Sequence, residues 1–426
     1  MSTYHRRLSV LLVVSALAFG GNPAAAPLPG ATAGAAQAID LQTAIRLALG
    51  QPRLRAAGHE AAAFDAAIDQ AGRYPNPTLE YLREGEQAGT RTTTIQLNQP
   101  IELGGKRRAR VALAEGEAAL ARSDLAALRQ EVRAEVIAAF HGALVARERQ
   151  ELATQLAALA DRSVDVAARQ VAAGKVPPID ATRARLAALE TRTELNTAGA
   201  ELSLARTRLG ALVGRPGDSL ELAAQPDAPL PRLAPLPVLL ARAAEAAPVR
   251  RARAALAAQD GQAQVERAAR IPDVTLSIGS QRADEVGRRQ AVLGLSVPLP
   301  LFDRNSGRLG AALRRTDKAR EELAATQAAA AAELAAAHVR FQAASQEAAL
   351  LREEAIPDAR SSHALTLKGF EHGKFALLDV LDAQRTLAQV QARQWNALLA
   401  AWQAYADIER LAGAATDNAQ TNKTDD

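Results

Sequence analysis

Apolar and polar positions along this chain follow two periods, and the switch between them happens twice. In "TLEYLR" (78–83) and "RTTTIQLNQPI" (91–101) the alternation has a period of two. Leu79, Tyr81, Ile95 and Leu97 fall on one face, and Thr94, Gln96 and Asn98 on the other. The same period returns in "VTLSIGSQ" (274–281) and "QAVLGLSVPL" (290–299). A glycine-containing turn joins each pair, "EGEQAGT" and "RADEVGRR". Elsewhere the spacing is helical and alanine-rich. The predicted order is a helix at 41–72, strands within 74–101, a very long helix at 106–173 and a return helix at 179–213. After a proline-rich segment at 214–237 the order repeats: a helix at 236–269, strands within 274–300, a long helix at 307–372 and a return helix at 376–412.

This repetition extends to individual residues. "RYPNPTL" (73–79) returns as "RIPDVTL" (270–276), "LNQPIEL" (97–103) as "LSVPLPL" (295–301), and Pro52 as Pro248. Gly174-Lys175 returns as Gly373-Lys374, Asp180 as Asp379, and Leu212-Val213-Gly214 as Leu411-Ala412-Gly413. Matches in one order at a nearly constant spacing of about 200 residues mark a tandem duplication. The repeats are taken as 39–213 and 238–413, joined by 214–237. A short strand is expected at Leu220–Leu222.

At 1.5 Å per residue each long helix measures about 100 Å, and each shorter one about 50 Å. Two short helices end to end therefore match one long helix. Each half reads as a rod with strands at one end and the Gly-Lys turn at the other. Such a rod has no globular interior of its own and buries its apolar stripe against neighbours. Each strand run is about ten residues, the length that crosses an outer membrane at a tilt. One chain offers four strands, and an open sheet edge is not tolerated in lipid. Two, three or four copies would close a barrel of eight, twelve or sixteen strands.

The amino terminus reads as a secretory signal, 1–38. It has a basic start at Arg6 and Arg7, an apolar run from Leu8 to Phe19, and small residues up to a cleavage point after Ala38. That run is too short to span a bilayer as a helix. The chain has no cysteine, so disulfides, thiolate metal sites and a thioether lipid anchor are excluded. Net charge is only +4 and its signs alternate along helix faces, which argues against nucleic acid as a partner. The polar tail 414–426 is expected to be disordered. "GGKRR" lacks the spacing of a phosphate loop, and the six histidines form no ligand pair. No catalytic set, cofactor site or metal site is expected.

The twofold repeat, the strand pairs and the "GK…D" turns resemble the TolC-type outer-membrane efflux proteins. "QPIELGGKRRAR" (99–110) is similar to the branch serving cobalt-zinc-cadmium resistance pumps. The resemblance implies a mostly α fold with a membrane β-barrel portion. Long antiparallel coiled-coil helices form an α-helical barrel, and four strands per protomer enter a shared twelve-stranded trimeric barrel. It implies a homotrimer set in outer-membrane lipid and extending into the periplasm. Its partners would be a periplasmic adaptor protein and an inner-membrane pump of the resistance-nodulation-division type. The expected function is a passive conduit, not an enzyme, exporting divalent metal cations. The alternatives are drug efflux, type I protein secretion, or a periplasmic coiled-coil rod that spans no membrane.

The resemblance also implies site residues. The adaptor-docking tips fall at Gly174, Lys175 and Val176, and at Gly373, Lys374 and Phe375. The pore constriction falls at Asp180, Asp379 and Asp382. Asp379 and Asp382 are three residues apart and so share a helix face. Asp180 lies in a first helical turn, where plain capping is the competing role. Phe375 stands where the best-known members carry a basic residue, which leaves Lys374 or Arg385 to tether a closed tip.

Overall fold

The computed structural model describes residues 38–85, 90–223, 230–285 and 287–413. The export signal and the polar tail therefore lie outside the described residues, apart from Ala38. The helices of the first half are α1 (Leu41–Leu49), α2 (Pro52–Ala71), α3 (Lys106–Ala172) and α4 (Pro178–Val213), with strands β1 (Thr78–Glu84) and β2 (Thr92–Ile101) between α2 and α3. Those of the second are α5 (Leu236–Ala243), α6 (Ala247–Ala268), α7 (Ser306–Leu350), α8 (Ile356–Glu371) and α9 (Leu377–Ala412). Strands β3 (Val274–Ala283) and β4 (Arg289–Ser296) lie between α6 and α7.

Three predicted helices are broken. The leading helix of the first half divides at Gly50, with Pro52 opening α2; that of the second divides at Ala246, with Pro248 near the start of α6. Proline needs no amide in a first turn, and Gln51, just before Pro52, is extended with ψ 157°. The long helix expected at 307–372 is interrupted by one π turn, Leu351–Ala355, just before Pro357. Pro357 has no N–H to give to the turn below, and its ring crowds that turn's carbonyl. α3 has alanine at the matching position, Ala158, and runs unbroken for 67 residues. The strand expected at Leu220–Leu222 is a single parallel bridge from Leu222 to Ile39, with Ile39 N–H donating to Glu221 O at 2.7 Å.

The two halves bury their apolar stripes against each other. Where the bridge crosses, α1, α3, α4, α5, α7 and α9 bury one core that includes Val136, Ile137, Phe140, Leu209, Leu239, Leu334, Ile408 and Leu411. An aromatic knot belongs to it. The His141 ring stacks on Trp402 at 3.4 Å between centroids, and Tyr405 meets Trp402 edge-on. Beside the knot Glu409, 2% exposed, accepts from Tyr405 Oη at 2.8 Å and from Arg133 Nε at 3.0 Å.

The four strands make one antiparallel sheet in the order β1-β2-β3-β4. Leu79 pairs with Leu97, Leu97 with Ile278, and Ile278 with Leu293, so one apolar row crosses all four strands. Tyr81 and Ile95 lie in the next row, Leu276 and Leu295 in the row on the other side. The row residues Leu79, Tyr81, Ile278, Leu293 and Leu295 are each more than 60% exposed. On the opposite face Glu80 accepts from Gln96 Nε2 at 2.7 Å and from Asn98 Nδ2 at 2.9 Å. Among the described residues β1 and β4 each keep one edge without a strand partner.

Candidate functional site

At the end of each long helical run the chain reverses in the same way. Gly174 has φ +67 and Gly373 has φ +72, conformations that cost glycine nothing. After each, the next amide closes the turn: Lys175 N–H donates to Gln170 O at 2.9 Å, and Lys374 N–H to Gly369 O at 2.8 Å. Gly174 N–H reaches Val171 O and Gly373 N–H reaches Phe370 O, both at 2.9 Å. This double closure terminates a helix while satisfying its last carbonyls. Pro177 and Pro178 then open α4.

The two hairpins form one unit. Ala167 of α3, Ala184 of α4, Phe370 of α8, and Leu377 and Val380 of α9 share a small buried cluster. Gln170 Nε2 donates across the unit to Phe370 O at 3.1 Å. Sequence reasoning missed Gln170. It stands 199 residues before Gly369, so the duplication itself marks a position where the copies parted. A Cβ at Gly369 would run into the Phe375 ring, which would have to shift. Phe375 is half exposed, and Lys175 and Lys374 are exposed beside it, while Val176 is partly covered.

The three aspartates do different jobs. Asp180 pairs with Arg183 one turn on, at 3.3 Å. Asp379 Oδ2 accepts the Ala376 N–H at 2.9 Å and caps α9. Asp180 lies in the first turn of α4, and Asp379 makes a capping hydrogen bond as well. Asp382 is exposed, and no hydrogen bond or ion pair engages it among the described residues. It lines a groove between α8 and α9 with Ser362, Thr366, Phe375 and Thr386. Arg385 turns to another groove, between α9 and α4, lined by Glu190 and Glu194. Nothing in the sequence paired Arg385 with those acids, since they are nearly 200 residues apart.

At the other end, α3 and α7 spring from left-handed residues, Gly105 with φ +73 and Asn305 with φ +56. The basic run between strand and helix is spent on local ties. Lys106 pairs with Asp273 at 2.8 Å, Arg107 lies over the Tyr74 ring at 4.5 Å, and Arg110 binds Glu102. No helix is long and apolar enough to cross a membrane, and no metal-holding cluster of acids and histidines occurs among the described residues.

The family profile for outer membrane efflux proteins matches this chain twice, over residues 45–215 and 240–414. The chain is an outer membrane efflux protein. It is 40% identical to the cobalt-zinc-cadmium resistance protein CzcC of Cupriavidus metallidurans, over 89% of this chain and 91% of that one. Among solved structures, the outer membrane protein VceC of Vibrio cholerae aligns with a TM-score of 0.74 at 23% identity, over 88% of this chain and 97% of that one. The CusC structure gives 0.72 at 19%, over 88% and 92%. As an outer membrane efflux protein the chain is a transport component and not an enzyme. Its helices and sheet are those of the TolC-like channels, an α-helical barrel joined to a membrane β-barrel.

Proposed function

We propose that three copies of this chain form the passive outer-membrane channel of a tripartite efflux system. The sheet carries the argument. It has an exposed apolar face, a polar opposite face and two unpartnered edges, at β1 and β4. Lipid satisfies the first, a water-filled lumen the second, and only further copies the third. Twelve pooled strands leave a lumen where eight would be filled by side chains. The secretory signal at 1–38 delivers the chain, and the repeats 39–213 and 238–413 build its two structural halves around the 214–237 linker. The family's metal-resistance member CzcC supports divalent cations as cargo. Energy comes from an inner-membrane pump of the resistance-nodulation-division type, and no cofactor is required.

The helical tips are the periplasmic aperture in this reading. Gly174, Lys175 and Val176, with Gly373, Lys374 and Phe375, form the surface on which a periplasmic adaptor docks to open it. Asp379 and Asp382 form stacked acidic rings under threefold symmetry, and such rings favour cations. Asp180, paired with Arg183, contributes little to them. Arg385 lines the same groove as Glu190 and Glu194, which supports α4 as the element that tethers a closed tip, with Lys374 exposed at the turn.

Reconstitution in planar bilayers tests the channel. Discrete conductance with cation preference is expected, and Asp382→Ala together with Asp379→Ala should reduce that preference. A protein that never enters the bilayer would overturn the reading. Drug efflux and type I secretion are separated by deleting the gene and scoring growth on zinc, cobalt, cadmium and a panel of drugs.

A further inference from the structure

One row of the sheet carries charge where its neighbours carry hydrocarbon. Arg83 pairs with Thr93, Thr93 with Arg282, and Arg282 with Arg289, so three arginines lie in one row on the apolar face. The adjoining row holds Tyr81 and Ile95, and the row below that Leu79, Leu97, Ile278 and Leu293. All three arginines are exposed. Arg282 and Arg289 are direct cross-strand partners. Like charges facing each other at about 5 Å destabilise a sheet unless an anion sits between them. Among the described residues none of the three has an ion pair or side-chain hydrogen bond. The nearby acids among the described residues lie elsewhere: Glu84 pairs with Thr92 on the opposite face, and Asp284 and Glu285 belong to the β3–β4 turn.

We infer that this row binds lipid-borne phosphate: Arg83, Arg282 and Arg289 hold the phosphorylated headgroups of the outer leaflet against the barrel rim. The inference rests on the proposed barrel, in which the apolar face meets lipid. Two features favour a lipid over a free anion. The arginines continue an apolar surface into which acyl chains fit, and they sit at the strand ends next to the hairpin turns, where headgroups begin. Guanidinium groups bind phosphate in a two-pronged geometry that lysine cannot match. A charge near a lipid surface is worth about fivefold in affinity per arginine.

The assembled protein should be placed in phosphatidylcholine nanodiscs containing either bis-phosphorylated lipid A or its dephosphorylated form. Bound lipid is then counted by native mass spectrometry. The expected result is retention of the phosphorylated form by about tenfold or more. Arg83→Gln, Arg282→Gln and Arg289→Gln combined should bring the ratio to about one, whereas Glu84→Gln on the opposite face should leave it unchanged. Equal retention of both lipids by the natural protein would overturn the inference. So would an unchanged ratio in the triple variant, or full displacement by millimolar inorganic phosphate. Failure to enter nanodiscs at all would instead overturn the barrel reading.

Discussion

His141 shows how one side chain can tie stability to pH. Its ring lies flat on Trp402, 7% exposed, and burial alone pushes its pKa from the ordinary 6.5 to about 3. Above pH 6.5 both folded and unfolded chains hold it neutral. As pH falls below 6.5 the unfolded chain takes up a proton that the folded one refuses, so stability drops until the folded pKa is reached. The loss is about 2 kcal/mol at pH 5 from this group. Burial shifts His363 in the same direction. His141→Phe, which keeps a ring against Trp402, should flatten the fall in thermal midpoint between pH 7 and pH 5; an unchanged slope would refute the assignment. Glu409 behaves differently, because its worth lies in its partners. Tyr405→Phe removes one donor to a buried carboxylate and should cost about 1–3 kcal/mol in denaturant titrations. Residue patterns in the sequence put Gly174 and Gly373 at helix breaks, and both occupy left-handed turns. They did not reveal that Asp180 pairs with Arg183 or that Asp379 accepts a hydrogen bond from a backbone amide. Those partnerships depend on rotamers, and a three-residue spacing permits them without requiring them.

At the scale of elements, the duplication made most of the fold legible. Every strand and every return helix was found by its period and then confirmed by its counterpart in the other half. The π turn at Leu351–Ala355 was missed because its cause, Pro357, has no counterpart in the first repeat, so comparison between repeats gave no warning. Its effect is a local weakness halfway along a helical run. Amide exchange should be faster at 351–355 than at 152–156 in unbroken α3, as measured by mass spectrometry on the assembled protein; equal protection would mean that neighbouring helices hold the turn shut. The tip unit is a second lesson at this scale. Gln170 and the Phe370 cluster couple the hairpins, although they belong to different repeats. The shared cluster predicts joint movement. Gln170→Ala should loosen that coupling, and spin labels on α4 and α9 near the tips should then report a broader distance distribution than in the natural protein.

For the whole molecule, the decisive property is that one face of the sheet is incompatible with water and its two edges with lipid. A cation on the outward face opposes insertion by about 2–4 kcal/mol per copy at mid-membrane depth. Ile278→Lys should therefore abolish recovery of assembled protein from outer membranes, whereas Gln96→Lys on the polar face should be tolerated. Equal recovery of the two variants would show that the faces have been assigned the wrong way round. The central core explains how a chain of long helices holds its parts together before any partner arrives. It gathers residues from 39 to 411, a span that no local pattern reveals.

The two bare edges of the sheet carry a genetic consequence. On the proposed assembly, a chain whose β1 or β4 edge can no longer pair should still fold, still be exported, and still offer its good edge to healthy copies. In the proposed three-chain ring a single such chain would leave the wall open. A cell making sound and damaged chains in equal amounts would then assemble only about one ring in eight without a flaw. Edge mutations should therefore be dominant over the intact allele. Mutations that prevent folding altogether should be recessive, since those chains never reach the ring.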